Sequence, residues 1–281
     1  PPGDPARMLL GEFASQAEVE ALREEMGLND NFFVRYGRYI GSAITGSFGN
    51  SYRTGIPVVE EIASRFPSTL KLAFFAMLIS ACIGIPVGII SAVKQYSFLY
   101  VTTMLGALLF TSMPPFWLGL MLILIFSLKL GLFPAVGSDT LKHFFLPVVA
   151  LAAQQTATLV RMTRSTMLEV IRQDYVRTAK AKGATQRIVV FHHELQNALL
   201  PVVTALGLSF SNLLGGSLII ESVFGISGLG TLMVNSVKMK DTPLLIASVM
   251  FAALIGGIVN LCVDVLYTYI EPHVKSQYVK G

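Results

Sequence analysis

Apolar residues gather into five long runs, at about Leu70–Val93, Phe98–Leu128, Phe144–Val160, Leu199–Ile220 and Leu244–Ile270. About 20 apolar residues cross roughly 30 Å of hydrocarbon as a helix. The runs show no strand-like alternation, and backbone groups in lipid must be satisfied internally, so the pattern predicts five spanning helices. The second run is too long for one straight span, since its 31 residues would reach about 46 Å. Pro114 and Pro115 interrupt it by removing helical donors. We expect one kinked helix projecting past the membrane, with two short segments as the alternative.

Ahead of these runs the pattern is amphipathic. Ser15 with Glu18 forms a capping box, and Gly27 can stop the helix it opens. Asn31 to about Ile44 reads as a second helix, rich in aromatics. Thr54 can cap a third, with Pro57 early in it and Val58, Val59 and Ile62 on one face. Pro67-Ser68 then opens the first span. Residues 1–68 therefore predict a small helical cap, either a structural spacer or a docking surface for a partner.

Composition sharpens the picture. Of 281 residues, 53% are hydrophobic and only 14% charged, against about 25% charged in soluble domains. That leaves too little charge to solvate a globular surface, and far too much hydrophobicity for disorder. The fold class expected is an all-α polytopic membrane protein in contact with the lipid bilayer. Two cysteines exclude a disulfide scaffold; Cys82 and Cys262 lie in apolar runs and read as small buried hydrophobes. The net charge of +4 does not argue for nucleic acid, because the basic residues sit beside apolar runs as topology determinants do.

Sidedness follows from those basic residues. The stretch between the third and fourth runs holds Arg161, Arg164, Arg172, Arg177, Lys180, Lys182 and Arg187 against Glu169, Asp174 and Glu194. The positive-inside rule assigns it to the cytoplasm. Residues 1–68, with six Arg and nine acids, then fall outside, and the tail bearing Lys275 and Lys280 falls inside. A 68-residue outer segment must be translocated, yet the chain opens on Pro1-Pro2-Gly3-Asp4 with no signal-peptide pattern. A further span is expected ahead of this numbering.

Catalytic and metal motifs are missing. There is no phosphate loop for ATP, no Cys/His cluster with metal spacing, and no Gly-x-Ser-x-Gly. His192 and His193 are adjacent, so they point to different helix faces. Acids are scarce at depth: Glu221 ends the fourth run and Asp264 lies near the inner end of the last. This argues against proton or sodium coupling, which needs ionisable residues inside the membrane. Uncharged polar residues do occur at depth, namely Gln154, Gln155, Thr156, Ser209, Ser211, Asn212 and Asn260. They must face protein or water, as helix-to-helix hydrogen bonds or as the lining of a pathway. Gly225, Gly228 and Gly230 lack the order of a nucleotide fingerprint and read as a tight turn into a re-entrant helix at about Thr231–Val237.

The stretch 161–198 is the most informative. Ala179 and Ala181 precede Gly183, with Lys180 and Lys182 between them. Small residues admit close approach of another surface, and glycine permits a sharp turn after a short helix. Tyr175 to Gly183, with Asn197 to Pro201 downstream, resembles the EAA loop of bacterial ABC-importer permeases in the oligopeptide/dipeptide/nickel branch. The glutamate of the general family pattern is unmatched, since Arg177-Thr178-Ala179 stands there. Pro2-Gly3-Asp4-Pro5, Arg53-Thr54-Gly55 with Pro57-Val58, Met113-Pro114-Pro115-Phe116-Trp117, Glu221-Ser222-Val223-Phe224 with Gly228-Leu229-Gly230, and Ile270-Glu271-Pro272 also look like that branch.

The resemblance implies an ABC importer type I permease fold with six spans, five visible here and the first missing. It implies an extracytoplasmic helical cap at 1–68 and a transmembrane domain at 69–272, with a cytoplasmic coupling loop at about 161–198 and an outer re-entrant loop at about 221–243. A cytoplasmic tail at 273–281 follows. The implied location is the bacterial inner membrane. The implied partners are a second homologous permease, two ABC ATPases and an extracytoplasmic substrate-binding protein. ATP and Mg would be bound by the ATPases, with no cofactor or enzymatic site in this chain. Residues expected to couple to the ATPases are Asp174, Tyr175, Thr178, Ala179, Lys180, Ala181, Lys182, Gly183 and Ala184. Those expected along the substrate path are Gln154, Gln155, Ser209, Ser211, Asn212 and Asn260. Peptide is the expected cargo, with nickel or a metal chelate as the alternative. An ion-coupled secondary transporter and a membrane protein that only docks a partner are the rival classes.

Overall fold

The computed structural model describes residues 4–11, 13–185, 188–215 and 217–270, apart from the side chains of residues 192, 193, 196, 200 and 266–270. The tail at 273–281, Glu271, Pro272, Pro2, Gly3 and Arg187 lie outside the described residues, as do the side chains of His192 and His193. Among the described residues the regular elements are helices.

The chain starts with three short helices, α1 (Pro5–Leu10), α2 (Gln16–Glu25) and α3 (Phe32–Ile44). The capping box of α2 is as expected: the Ser15 amide donates to the Glu18 carboxylate at 2.8 Å, and the Glu18 amide donates to Ser15 Oγ at 3.3 Å. Past its end the Leu28 amide returns to the Arg23 carbonyl. Asn31 caps α3 by accepting from the Phe33 amide.

Helix α4 (Val58–Val93) is one unbroken element of 36 residues, where the sequence suggested a helix from Thr54 and a fresh start at Pro67-Ser68. Thr54 stays in the preceding loop, accepting from the Ile56 amide. Pro67 removes a helical donor without breaking the helix, because packing grips both sides of it. Val58 and Ile62 bury with Leu229 and Leu244, while Leu72, Ala73 and Ala76 bury with Phe144 and Ile220. Phe66 touches both clusters. The boundary expected at residue 68 thus falls inside a helix.

The second apolar run is not one kinked helix. Helix α5 (Phe98–Ser112) ends at Met113, and α6 (Pro115–Leu122) leaves at 99° to it, widening into a π-helical stretch at Ile123–Lys129. A residue before proline is pushed out of the helical region. Two consecutive prolines force Met113 and Pro114 into extended geometry, with ψ 125° and 134°.

Helix α7 (Leu141–Ile171) reaches Ile171, so the first part of the stretch 161–198 is helix rather than loop. It packs along α4 through a row of small residues, Ala76, Ser80, Gly84 and Gly88, spaced by four so that they share one face. A Cβ at Gly88 would stand 2.6 Å from Thr163 Cβ. Ser80 Oγ donates across to the Ala152 carbonyl at 3.1 Å. In lipid, close backbone contact and such bonds replace the hydrophobic drive that assembles soluble bundles.

Helix α8 (Asp174–Ala181) and a π-helical turn at Val189–Glu194 lead into α9 (Leu195–Leu214). The fourth span therefore ends at Leu214, not Ile220. Helices α10 (Leu218–Val223), α11 (Leu229–Lys238) and α12 (Thr242–Ile270) complete the described chain. Helix α11 packs where α4 begins, and α8 lies where α4 finishes, so the two mark opposite ends of the bundle.

Among the described residues four helices are long and apolar enough to cross a membrane, with the bent pair of α5 and α6 making a fifth. Cys82 and Cys262 are exposed, contrary to the expectation of burial. A spanning helix turns part of its apolar surface to lipid, so position in an apolar run does not imply burial.

Candidate functional site

At the α8 end, three spans converge. Ala92 of α4, Met167 of α7 and Ala198 of α9 bury together with Val190. Helix α8 packs against the π-helical turn at Val189–Glu194, which carries Val190, with Val176 fully buried and most of its other residues exposed. Asp174, Tyr175, Thr178, Lys180, Ala181, Lys182 and Gly183 are exposed, and Ala179 and Ala184 are half-buried. The helix stops at Gly183, whose φ of +83° is a conformation that favours glycine. The Gly183 amide bonds the Lys180 carbonyl and the Ala184 amide bonds that of Ala179, each within 3.2 Å. Arg177 and Asp174 stand 3.8 Å apart on the exposed side, where an ion pair contributes little.

Two of the expected coupling residues, both exposed, also make contacts back toward the bundle. Lys180 Nζ lies 3.7 Å from Glu194 Oε1, and Glu194 is 99% buried. Neither Glu194 oxygen has a hydrogen bond among the described residues. Burial pushes its carboxyl above the ordinary range, with Lys180 pulling the other way. The Tyr175 hydroxyl bonds Asn197; burial raises its pKa, Asn197 lowers it, and Glu194 adds to the rise. Lys180 and Tyr175 thus tie α8 to the root of α9. Sequence reasoning counted Glu194 only in a charge tally.

The six polar residues expected along a path lie on three helices, with α9 packed against both α7 and α12. Ser211 Oγ donates to the Gly256 carbonyl at 3.2 Å and so joins α9 to α12. Gln154, Gln155, Ser209 and Asn260 are half-buried, and Asn212 is exposed. Asn260 Oδ1 is buried and has no hydrogen bond among the described residues. A cavity of about 520 Å³ lies elsewhere, between α4, α5, α6 and α7. Ile83, Phe110, Leu118 and Val160 help to line it, and none of the six does.

The opposite end holds a feature that the sequence did not disclose. Glu221, expected at the end of a span, is fully buried in α10. Thr69 Oγ1 of α4 donates to its Oε1 at 2.7 Å, and the Thr231 amide of α11 donates to its Oε2 at 3.0 Å. Ser217 adds a longer contact at 3.4 Å. Thr69 Oγ1 also accepts from the Leu229 amide at 2.8 Å. A carboxylate at a helix N-terminus meets free amides and the positive end of the dipole. A Cβ at Gly228 would stand 2.5 Å from this carboxylate, which explains the glycine better than any nucleotide motif. The signal available was the acid itself, since an acid flanked by apolar residues demands partners.

Residues 84–276 match the binding-protein-dependent transport system inner membrane component, and residues 1–73 match the N-terminal region of such membrane components. The chain belongs to this transport family. Among its relatives in the family, the dipeptide transport system permease protein DppB of Alkalihalophilus pseudofirmus is 40% identical over 302 residues, covering 98% of this chain and 91% of that one. The glutathione transport system permease protein GsiC of Escherichia coli K12 is 42% identical over 274 residues, covering 98% and 90%. The fold of this family member is shared with chains of solved ABC transporters. A chain of the inward-facing MetNI methionine ABC transporter superposes with a TM-score of 0.66 at 20% identity, covering 76% of this chain and 97% of that one. An amino acid ABC transporter solved with histidines gives 0.61 at 18%, covering 75% and 94%.

Proposed function

We propose that this chain is the permease subunit of an ATP-driven peptide importer. It forms the translocation path together with a second, related permease. Peptide is favoured as cargo because two relatives at 40% and 42% identity carry the names of dipeptide and glutathione systems. Two cytoplasmic ATPases, which bind ATP and Mg, drive the motion, and a binding protein delivers substrate on the other side. The basic stretch around α8 faces the cytoplasm by the positive-inside rule, and residues 1–68 face outward.

One observation carries the reading: α8 presents small, uncovered residues while its base packs on the turn at Val189–Glu194, whose Val190 is buried with Ala92, Met167 and Ala198 at the ends of three spans. A partner that seats on Ala181 and Gly183 and then moves would displace α4, α7 and α9 as a unit. Packed helices shift between discrete arrangements rather than deforming continuously. Asn212, exposed on a spanning helix, supports contact with a further protein or water, since lipid is a poor neighbour for an amide.

The test uses the complex reconstituted with its ATPases and loaded binding protein. Ala181→Trp adds bulk at an exposed helical position without straining the turn at Gly183. We expect normal assembly with stimulation of ATP hydrolysis largely lost. Full stimulation in Ala181→Trp would remove α8 as the docking element.

A further inference from the structure

Helix α3 has no buried residue, yet it is strongly two-sided. At 100° per residue, Phe32, Phe33, Tyr36, Ile40 and Ile44 share a sector of about 120°, while Arg35, Arg38 and Ser42 lie opposite. Phe32, Phe33, Tyr36 and Ile44 are between 57% and 81% exposed. Phe32 packs edge-on to Phe33 and stacks on Tyr36 with ring centroids 6.0 Å apart. The aromatic face is thus ordered by its own members and covered by nothing in the described chain.

Its position is tied to the ends of the spans. Asp241 precedes α12 and accepts from the Leu244 amide in the first turn of that helix. The same carboxylate accepts from the Ser51 hydroxyl and from the Tyr52 amide at 3.3 Å. The loop after α3 is therefore pinned where α12 begins. Only residues 45–50 separate α3 from that pin, a reach of about 20 Å when fully extended. They are curled tighter than that, with the Gly46 and Ser47 amides bonded back to Ala43 and Ser42. Burial and Asp241 shift Tyr52 upward, and the charge of Arg35, in the first turn of α3, opposes that shift.

We propose that α3 lies in the membrane interface at the α11 end of the bundle, its aromatic face sunk into the acyl boundary and Arg35 among the lipid phosphates. This goes beyond the transport reading and depends only on the chain's being a membrane protein. Three observations single out lipid as the occupant. The tether keeps the helix level with the start of α12. Aromatic side chains favour this depth of a bilayer. The charges of α3 are both cationic; Arg38 pairs with Asp30 at 2.7 Å, and Arg35, bonded only to the Leu28 carbonyl among the described residues, carries the charge that complements anionic headgroups. An interfacial helix of this kind buries its apolar face about 5–10 Å into the boundary.

The test is site-directed spin labelling of the full chain, with Cys82 and Cys262 replaced by serine, in phosphatidylethanolamine–phosphatidylglycerol liposomes. Nitroxides are placed one at a time through Phe33→Cys, Tyr36→Cys, Arg38→Cys and Ser42→Cys, so that one poorly folded variant leaves a pair to compare. Labels at 33 and 36 are expected to collide chiefly with oxygen at about 5–10 Å below the phosphates. Labels at 38 and 42 are expected to be open to a water-soluble nickel chelate. Overturning results are easy access of the chelate to all positions, which places α3 in water, or shielding of 33 and 36 from both relaxants, which places them against protein.

Discussion

At Thr69 one hydroxyl joins three helices, donating to Glu221 of α10 and accepting from Leu229 of α11. Thr69→Val leaves both partners buried and short of a bond, at a cost of about 1–3 kcal/mol. We expect a lower thermal midpoint in detergent for Thr69→Val and near-normal behaviour for Thr69→Ser; equal midpoints for all three proteins would show that the hydroxyl contributes nothing. Gly228 tests the same knot sterically. Its φ of −117° is open to any residue, so Gly228→Ala acts only through its Cβ against the Glu221 carboxylate. That overpacking costs about 1–3 kcal/mol, and an unchanged midpoint would contradict the crowding.

At the scale of elements, α8 and the root of α9 are joined through Lys180, Glu194, Tyr175 and Asn197. Burial raises the Glu194 carboxyl above its usual value near 4.5, and Lys180 lowers it only in part. A carboxyl that holds its proton more tightly when folded favours folding at low pH. That contribution fades as pH rises through the raised value. Glu194→Gln should therefore flatten the pH dependence of the thermal midpoint from about pH 4.5 towards neutrality. A slope identical to that of the parent chain would contradict a raised carboxyl.

The elements were legible to different depths. The helical character of the five apolar runs, the Ser15–Glu18 capping box and the aromatic helix after Asn31 follow from short-range rules, and these appear as expected. The end of the fourth span was misplaced, because apolar residues continue past Leu214 into α10. Pro67 misled in one direction and Pro114-Pro115 in the other: clusters on both sides of Pro67 keep α4 whole, while two adjacent prolines break the second run by 99°. The short helix ending at Gly183 was readable from local chemistry. Its ties through Lys180 and Tyr175 were not, since Glu194 and Asn197 join it only in three dimensions. Glu221 was hidden for the same reason, its partner Thr69 standing 152 positions away.

For the whole molecule, the account joins two ends of one bundle. Helix α4 begins under α11 and finishes beside α8, with α7 packed closely along it through Ser80, Gly84 and Gly88. On the proposed reading, movement received at α8 would pass through the turn at Val189–Glu194 to these packed helices and so to the opposite end. The central claim is that this chain conducts peptide only when ATP is hydrolysed by its partners. The most direct measurement is uptake of a labelled dipeptide into proteoliposomes that hold the chain, its partner permease and the ATPases, with binding protein outside. The account predicts accumulation that requires enclosed ATP and Mg and is indifferent to an imposed proton or sodium gradient. Uptake that proceeds without nucleotide and collapses with the ion gradient would contradict it.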